Sequence, residues 1–130
     1  MAKVRAFEVN VKGTQWHRIV NHVSAGKAKY EYLRDVRESW PSVEFKHLTC
    51  RIVGGPVTSE EFMRCATYRG LSNVRCGDRV TVGRGTGTVV GHNSSANFDV
   101  LFDDDSIEHA GQTLNCHPSS IQFHNEEPTR

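Results

Sequence analysis

Apolar residues alternate near both ends of this chain and recur at helical spacing in between. Val4, Ala6, Phe7, Val9 and Val11 alternate with one break in phase, which predicts a strand over Val4–Val11. Lys12-Gly13-Thr14-Gln15 reads as a turn, with Gly13 supplying the unusual dihedral, and Trp16–Val20 as the returning strand of a hairpin. Ser24 stands where a helix N-cap belongs. Ala25, Ala28, Tyr32, Leu33, Val36 and Trp40 then make one apolar stripe, which predicts a helix over Ala25–Trp40 that stops at Pro41. Lys27/Glu31 and Arg34/Glu38 lie four apart on its solvated side, the spacing at which opposite charges meet. A third strand is expected within Val43–Val53, centred on Cys50–Val53 and ended by Gly54-Gly55-Pro56. Thr58, with Glu61 three residues on, forms a capping box for a short helix over Ser59–Tyr68. That helix would bury Phe62, Met63, Cys65 and Ala66, and Gly70 would close it.

After Cys76 the pattern changes to short runs of strand type. Arg79–Val82, Gly87–Gly91 and Phe98–Phe102 are the clear ones, with a weaker fourth at Ile121–Phe123. Gly83, Gly85, Gly87, the Asn93-Ser94-Ser95 cluster and Asp103–Ser106 punctuate them as turns. Strands this short and this few do not make a sandwich; they predict a small, strongly bent barrel. The expected architecture is α+β. A β-hairpin–helix–strand–helix unit spans 1–70, a short joint 71–76, a small β-barrel 77–124, and a flexible polar tail 125–130.

The run GDRVTV…GTGTVVG…FDVLFDDDS resembles the SH3-like, or KOW-type, small barrel through its opening Gly-Asp-x-Val, its Gly-Thr-Val-Val-Gly and its Val-x-Phe-Asp. That resemblance covers about a third of the chain and implies a fold, since such barrels host many functions. The stretches FEVNVKG…W…SAGKAKYEYLRDVRESWP and GGP…FMRCATYRG are similar to small accessory proteins of phage and prophage genomes. This second resemblance implies a phage-type accessory protein, a class rich in anti-defence, anti-CRISPR-like inhibitors of host complexes.

Composition adds two constraints. No apolar run approaches the roughly 20 residues that span a bilayer, and Met-Ala-Lys-Val-Arg lacks the apolar core of a signal peptide. A cytoplasmic protein with no membrane partner is expected, in the host cytoplasm if phage-encoded. The net charge of +1 hides a split: residues 1–75 hold thirteen Lys/Arg and seven Asp/Glu, residues 76–130 three and eight. A basic front and an acidic back can dock on each other or present unlike faces to partners.

Candidate chemistry is sparse. Cys50, Cys65, Cys76 and Cys116 include no Cys-x-x-Cys pair, and the seven histidines are scattered, so no metal site is expected. The Gly83-Arg84-Gly85-Thr86-Gly87 loop runs on into a strand where a phosphate cradle would open a helix. Three consecutive Asp residues at 103–105 do not alternate as calcium ligands do. Cys116-His117 are neighbours whose side chains would face opposite ways on a strand. No catalytic residue and no cofactor are expected, and the chain reads as a non-enzymatic binder of a host protein complex, such as a nucleic-acid-processing defence effector. Two faces are candidates. An acidic one (Asp99, Asp103, Asp104, Asp105, Glu108) would imitate a run of phosphates. A basic, aromatic one (Trp16, Arg18, Lys27, Lys29, Arg34) would serve a partner or, alternatively, nucleic acid. Sequestering a small signalling nucleotide is the third class considered.

Overall fold

The structure is a computed structural model that describes residues 3–124; the expected tail at 125–130 lies outside them. It is a mixed α and β protein with two helices and two antiparallel sheets, of three and five strands. The chain divides into two compact units, Lys3–Val57 and the part from Thr58 onward.

The N-terminal unit runs β1 (Arg5–Val11), β2 (His17–His22), α1 (Ala25–Val36) and β3 (Leu48–Gly54), in sheet order β2-β1-β3. Register pairs Phe7 with both Val20 and Ile52, and Val9 with both Arg18 and Cys50. Phe7, Val9, Val11, Val20 and Leu48 pack with Ala28, Tyr32, Leu33 and Val36 of α1. The helix starts where its cap predicts, the Ser24 hydroxyl accepting the Lys27 amide at 3.2 Å. It ends four residues before the expected Trp40. From Arg37 on, the amides of Glu38 and Ser39 reach back three residues to Asp35 and Val36. The turn tightens ahead of Pro41, whose ring disfavours helix in the residue before it.

His22 is buried in this unit at 6% exposure, its Nδ1 accepting the Val23 amide at 2.9 Å and its Nε2 lying 3.9 Å from Glu31. Burial first, and the nearby Lys27 second, lower its pKa below the ordinary 6.5. A histidine that resists protonation when folded leaves stability intact above pH 6.5, and stability drains as pH falls through the lowered folded value. Thermal unfolding of the full chain at pH 7.5 and 5.5 should therefore show a loss at the lower pH. The loss shrinks in His22→Asn, whose side-chain oxygen can still take the Val23 N–H. An equal loss in both proteins would remove His22 from the account.

The C-terminal unit runs α2 (Glu60–Tyr68), β4 (Arg79–Val82), β5 (Gly85–His92), β6 (Phe98–Phe102), β7 (Thr113–Cys116) and β8 (Ile121–Phe123). Its sheet order is β7-β6-β5-β4-β8, every neighbour antiparallel. β4, β6 and β8 have the expected bounds, β5 is longer at both ends, and β7 is an added strand. The sheet is open: among the described residues β7 and β8 are its two edges and do not pair with each other. β5 and β6 approach closely at Gly87, where a Cβ would lie 2.5 Å from the Leu101 carbonyl oxygen, so only glycine fits.

The division between units falls ahead of α2, not at the expected joint 71–76. Phe62 and Ala66 of α2 pack with Val74, Val80, Val89, Phe98, Val100, Phe102 and Phe123, so the helix belongs to the core of the five-stranded sheet. Its N-cap is Ser59, which accepts the Phe62 amide at 3.0 Å. Thr58, the expected cap, instead accepts the Cys76 amide at 3.0 Å and ties the start of α2 to the segment leading into β4. Among the described residues no helix is long and apolar enough to cross a membrane.

Candidate functional site

The acidic residues lie on β6 and on the loop that follows it, and the fold uses most of them. Asp103 is turned inward: Arg79 reaches its two oxygens at 2.8 and 2.6 Å, and the Thr86 hydroxyl donates to it at 3.1 Å. Its side chain is 8% exposed against 36% for Arg79. The hydrogen bonds from Arg79 hold the Asp103 carboxyl below the usual carboxylate range, and the same bonds raise Arg79. Asp103 is therefore a brace between β4, β5 and the loop, and its carboxylate is not displayed. Glu108 accepts the Arg84 amide at 3.0 Å, and Ser106 sits between the Thr86 amide at 3.1 Å and the Glu108 carbonyl at 2.6 Å. Asp99 accepts from the Asn115 side chain at 2.9 Å. Of the five expected carboxylates, only Asp104 and Asp105 are exposed. Between them and Glu108 the braced loop displays Ile107, 73% exposed, which the polar run around it hides in the sequence.

The basic and aromatic residues divide into two groups. Trp16, 43% exposed, stands edge-on to Trp40 at 6.0 Å. Arg18 pairs with Asp35 at 2.9 Å and lies over the Tyr32 ring at 5.2 Å, while Arg34 approaches the same Asp35 at 3.7 Å. Lys29 belongs to another group, its ammonium 4.4 Å over the Phe45 ring, which packs against Tyr30 at 4.8 Å. Lys27 is exposed in the first turn of α1. The expected basic face is thus partly neutralised by Asp35 and partly committed to aromatic rings. Tyr30 (65% exposed) and Ile52 (48%) are surface features that a reading of charge alone passes over.

The remaining chemical candidates are structural. Gly83-Arg84 is the two-residue turn between β4 and β5, with Gly83 at φ 59°, a dihedral that such hairpin turns require. Arg69 donates to the carbonyls of Ser95 and Ala96 and to the Asn97 side chain at 2.9–3.0 Å, clamping the β5–β6 loop. His117 Nδ1 accepts the Ser119 amide at 3.1 Å and caps the 3-10 turn Pro118–Ser120. Burial first, and Asp99 second, push the Cys116 thiol up, opposite to what a nucleophile needs. Among the described residues no three His, Cys, Asp or Glu side chains are grouped to hold a metal ion. No family model matches the chain, and neither a curated protein nor a solved structure matches it.

Proposed function

We propose that the chain is a non-enzymatic binding module that engages a protein complex, with an SH3-like (KOW-type) small barrel as its C-terminal unit. The barrel reading is supported by five short antiparallel strands in the order β8-β4-β5-β6-β7, the last two in sequence joined through one 3-10 turn. The function rests on one observation: polar side chains that suggested chemistry are absorbed by the fold, while large apolar ones stand in water. Asp103 is tied to Arg79, and His117, though exposed, caps a 3-10 turn. Ile107, Tyr30, Ile52 and Trp16 are exposed, the first following two exposed carboxylates in the chain and the second following Lys29. Apolar anchors ringed by charge suit a protein surface, where the anchor supplies affinity and the charges supply steering. In its narrowest form the proposal is a phage-type accessory protein that inhibits a host defence complex, and this form leans on the sequence resemblance described above. The test is capture of partners by the tagged chain from a bacterial lysate, with and without nuclease. A discrete protein complex that survives nuclease is the expected result; recovery of nucleic acid alone, lost on nuclease treatment, overturns it and favours the basic face.

A further inference from the structure

The three-stranded sheet ends on an open edge whose hydrogen-bonding groups can be assigned. The Val11 amide donates to the Trp16 carbonyl on the β2 side of β1, and the next amide, Lys12, donates to the His47 carbonyl on the β3 side. Amides alternate sides along an antiparallel strand, so Glu8 and Asn10 of β1 bond β3 at their register partners Arg51 and Thr49. Thr49 and Arg51 thus spend their backbone groups on β1, and Cys50 and Ile52 direct theirs away from the sheet. The outward amide of Leu48 is already taken by the Phe45 carbonyl in the 3-10 turn Phe45–His47. Beyond it, among the described residues, no strand pairs with the outer side of β3.

Of the devices that keep sheet edges solitary, this one carries a register shift against β1 at its Gly54 end, and little else. Leu48–Gly54 is seven residues long and contains no proline and no lysine. Its one charge, Arg51, is turned to Glu8 at 2.7 Å. Ile52 and Val53 are 48% and 40% exposed. The edges of the other sheet are three- and four-residue strands, and the far end of β2 is crossed by Val57, whose amide and carbonyl both bond the Asn21 side chain at 2.9 Å.

We propose that β3 is a docking edge for an extended, acidic segment of a partner protein, which adds as a further antiparallel or parallel strand. The inference rests on the protein-binding reading above and gives it a place and a partner chemistry. Residues 3–57 hold ten Lys/Arg against five Asp/Glu; Lys29 on α1, over the Phe45 ring, lies close enough to act on Cys50 of β3, and Lys46 in the turn before β3 pairs with Glu44 at 3.5 Å on the exposed surface. A second copy of the chain would bring the same excess of positive charge, and symmetric pairing about the middle of β3 would set Arg51 against Arg51. An incoming strand with apolar residues on the Ile52 side and carboxylates beside the lysines meets neither obstacle.

The probe is an eight-residue peptide alternating valine and glutamate, compared with its valine–lysine counterpart and with a version N-methylated at alternate amides. In the isotope-labelled full-length chain, the valine–glutamate peptide should slow hydrogen exchange of the Cys50 and Ile52 amides. It should bind about tenfold more tightly than the lysine peptide at low salt, and the N-methylated version should have no effect. Ile52→Pro removes an outward amide and keeps those that bond β1, so it should abolish the protection; unchanged exchange at Thr49 and Arg51 verifies its fold. Should the proline unfold the unit, Ile52→Glu takes its place: it removes the apolar contact and repels the peptide's carboxylates, with the same loss expected. No slowing at Cys50 and Ile52, equal affinity for both peptides, or protection that arises from dimers in sedimentation would each overturn the proposal. A host complex still captured by Ile52→Pro would leave the protein-binding reading standing and remove β3 from it. Protection by the valine–glutamate peptide without any captured complex would do the reverse.

Discussion

Phe62→Ala should cost about 4 kcal/mol and leave the C-terminal unit close to unfolded, because large-to-small changes of a buried phenylalanine lose both transfer energy and packing. Phe62 is 1% exposed, lies against Phe98 at 5.2 Å and meets His92 edge-on at 5.8 Å. With Ala66 it is the means by which α2 closes one face of the five-stranded sheet. A unit of this size has only about 5 kcal/mol or a little more to lose. Tyr68→Ala on the same helix, at 79% exposure, should stay within about 0.5 kcal/mol. Both tryptophans lie in the other unit, so their fluorescence reports on residues 3–57, and amide exchange in β4–β6 is the readout for this one. A cost near 1 kcal/mol for Phe62→Ala would mean that α2 is not part of this core.

How that helix was misplaced from the sequence shows what local patterns carry. Capping residues, a 3.6-residue apolar period and Gly70 at φ 75° specify that a helix forms over Glu60–Tyr68. They do not specify which sheet the apolar face meets, because that contact is made with Phe98 and Val80, far along the chain. β4, β6 and β8 were legible to the residue because strand alternation and turn glycines act over a few neighbours. β7 was not: Thr113-Leu114-Asn115-Cys116 has one strong apolar residue, and pairing of Cys116 with Phe98 and Leu114 with Val100 makes it a strand. The site divides the same way. Three adjacent aspartates are visible as charge, but their sequence does not say that the first faces an arginine 24 residues earlier. Ile107 and Ile52 are single apolar letters whose meaning depends on exposure, a property of the assembled surface.

That arginine supplies the second large effect. Arg79→Ala should cost about 2 kcal/mol, less than the penalty for stranding one member of a fully buried ion pair, because Arg79 is 36% exposed and water reaches the site. It removes the partner of a carboxylate that is only 8% exposed. Asp103→Asn should cost less, about 1 kcal/mol, because Arg79 is open enough to be rehydrated and the amide oxygen can still accept from Thr86. Asp104→Asn and Asp105→Asn, both exposed, should be close to neutral for stability, so any effect they have on partner capture reads the surface and not the fold. The pH dependence separates an ionic brace from mere packing. In the native chain Arg79 lowers the Asp103 carboxyl, so its contribution is full above about pH 3.8 and is lost as pH falls through the depressed folded value. In Arg79→Ala burial remains without the cation, which raises the carboxyl, so acid relieves that variant by neutralising it. The stability gap between the two proteins, measured by urea unfolding, should therefore be smaller at pH 3 than at pH 7. A gap that stays constant over that range would show that the pair acts through shape and not through charge.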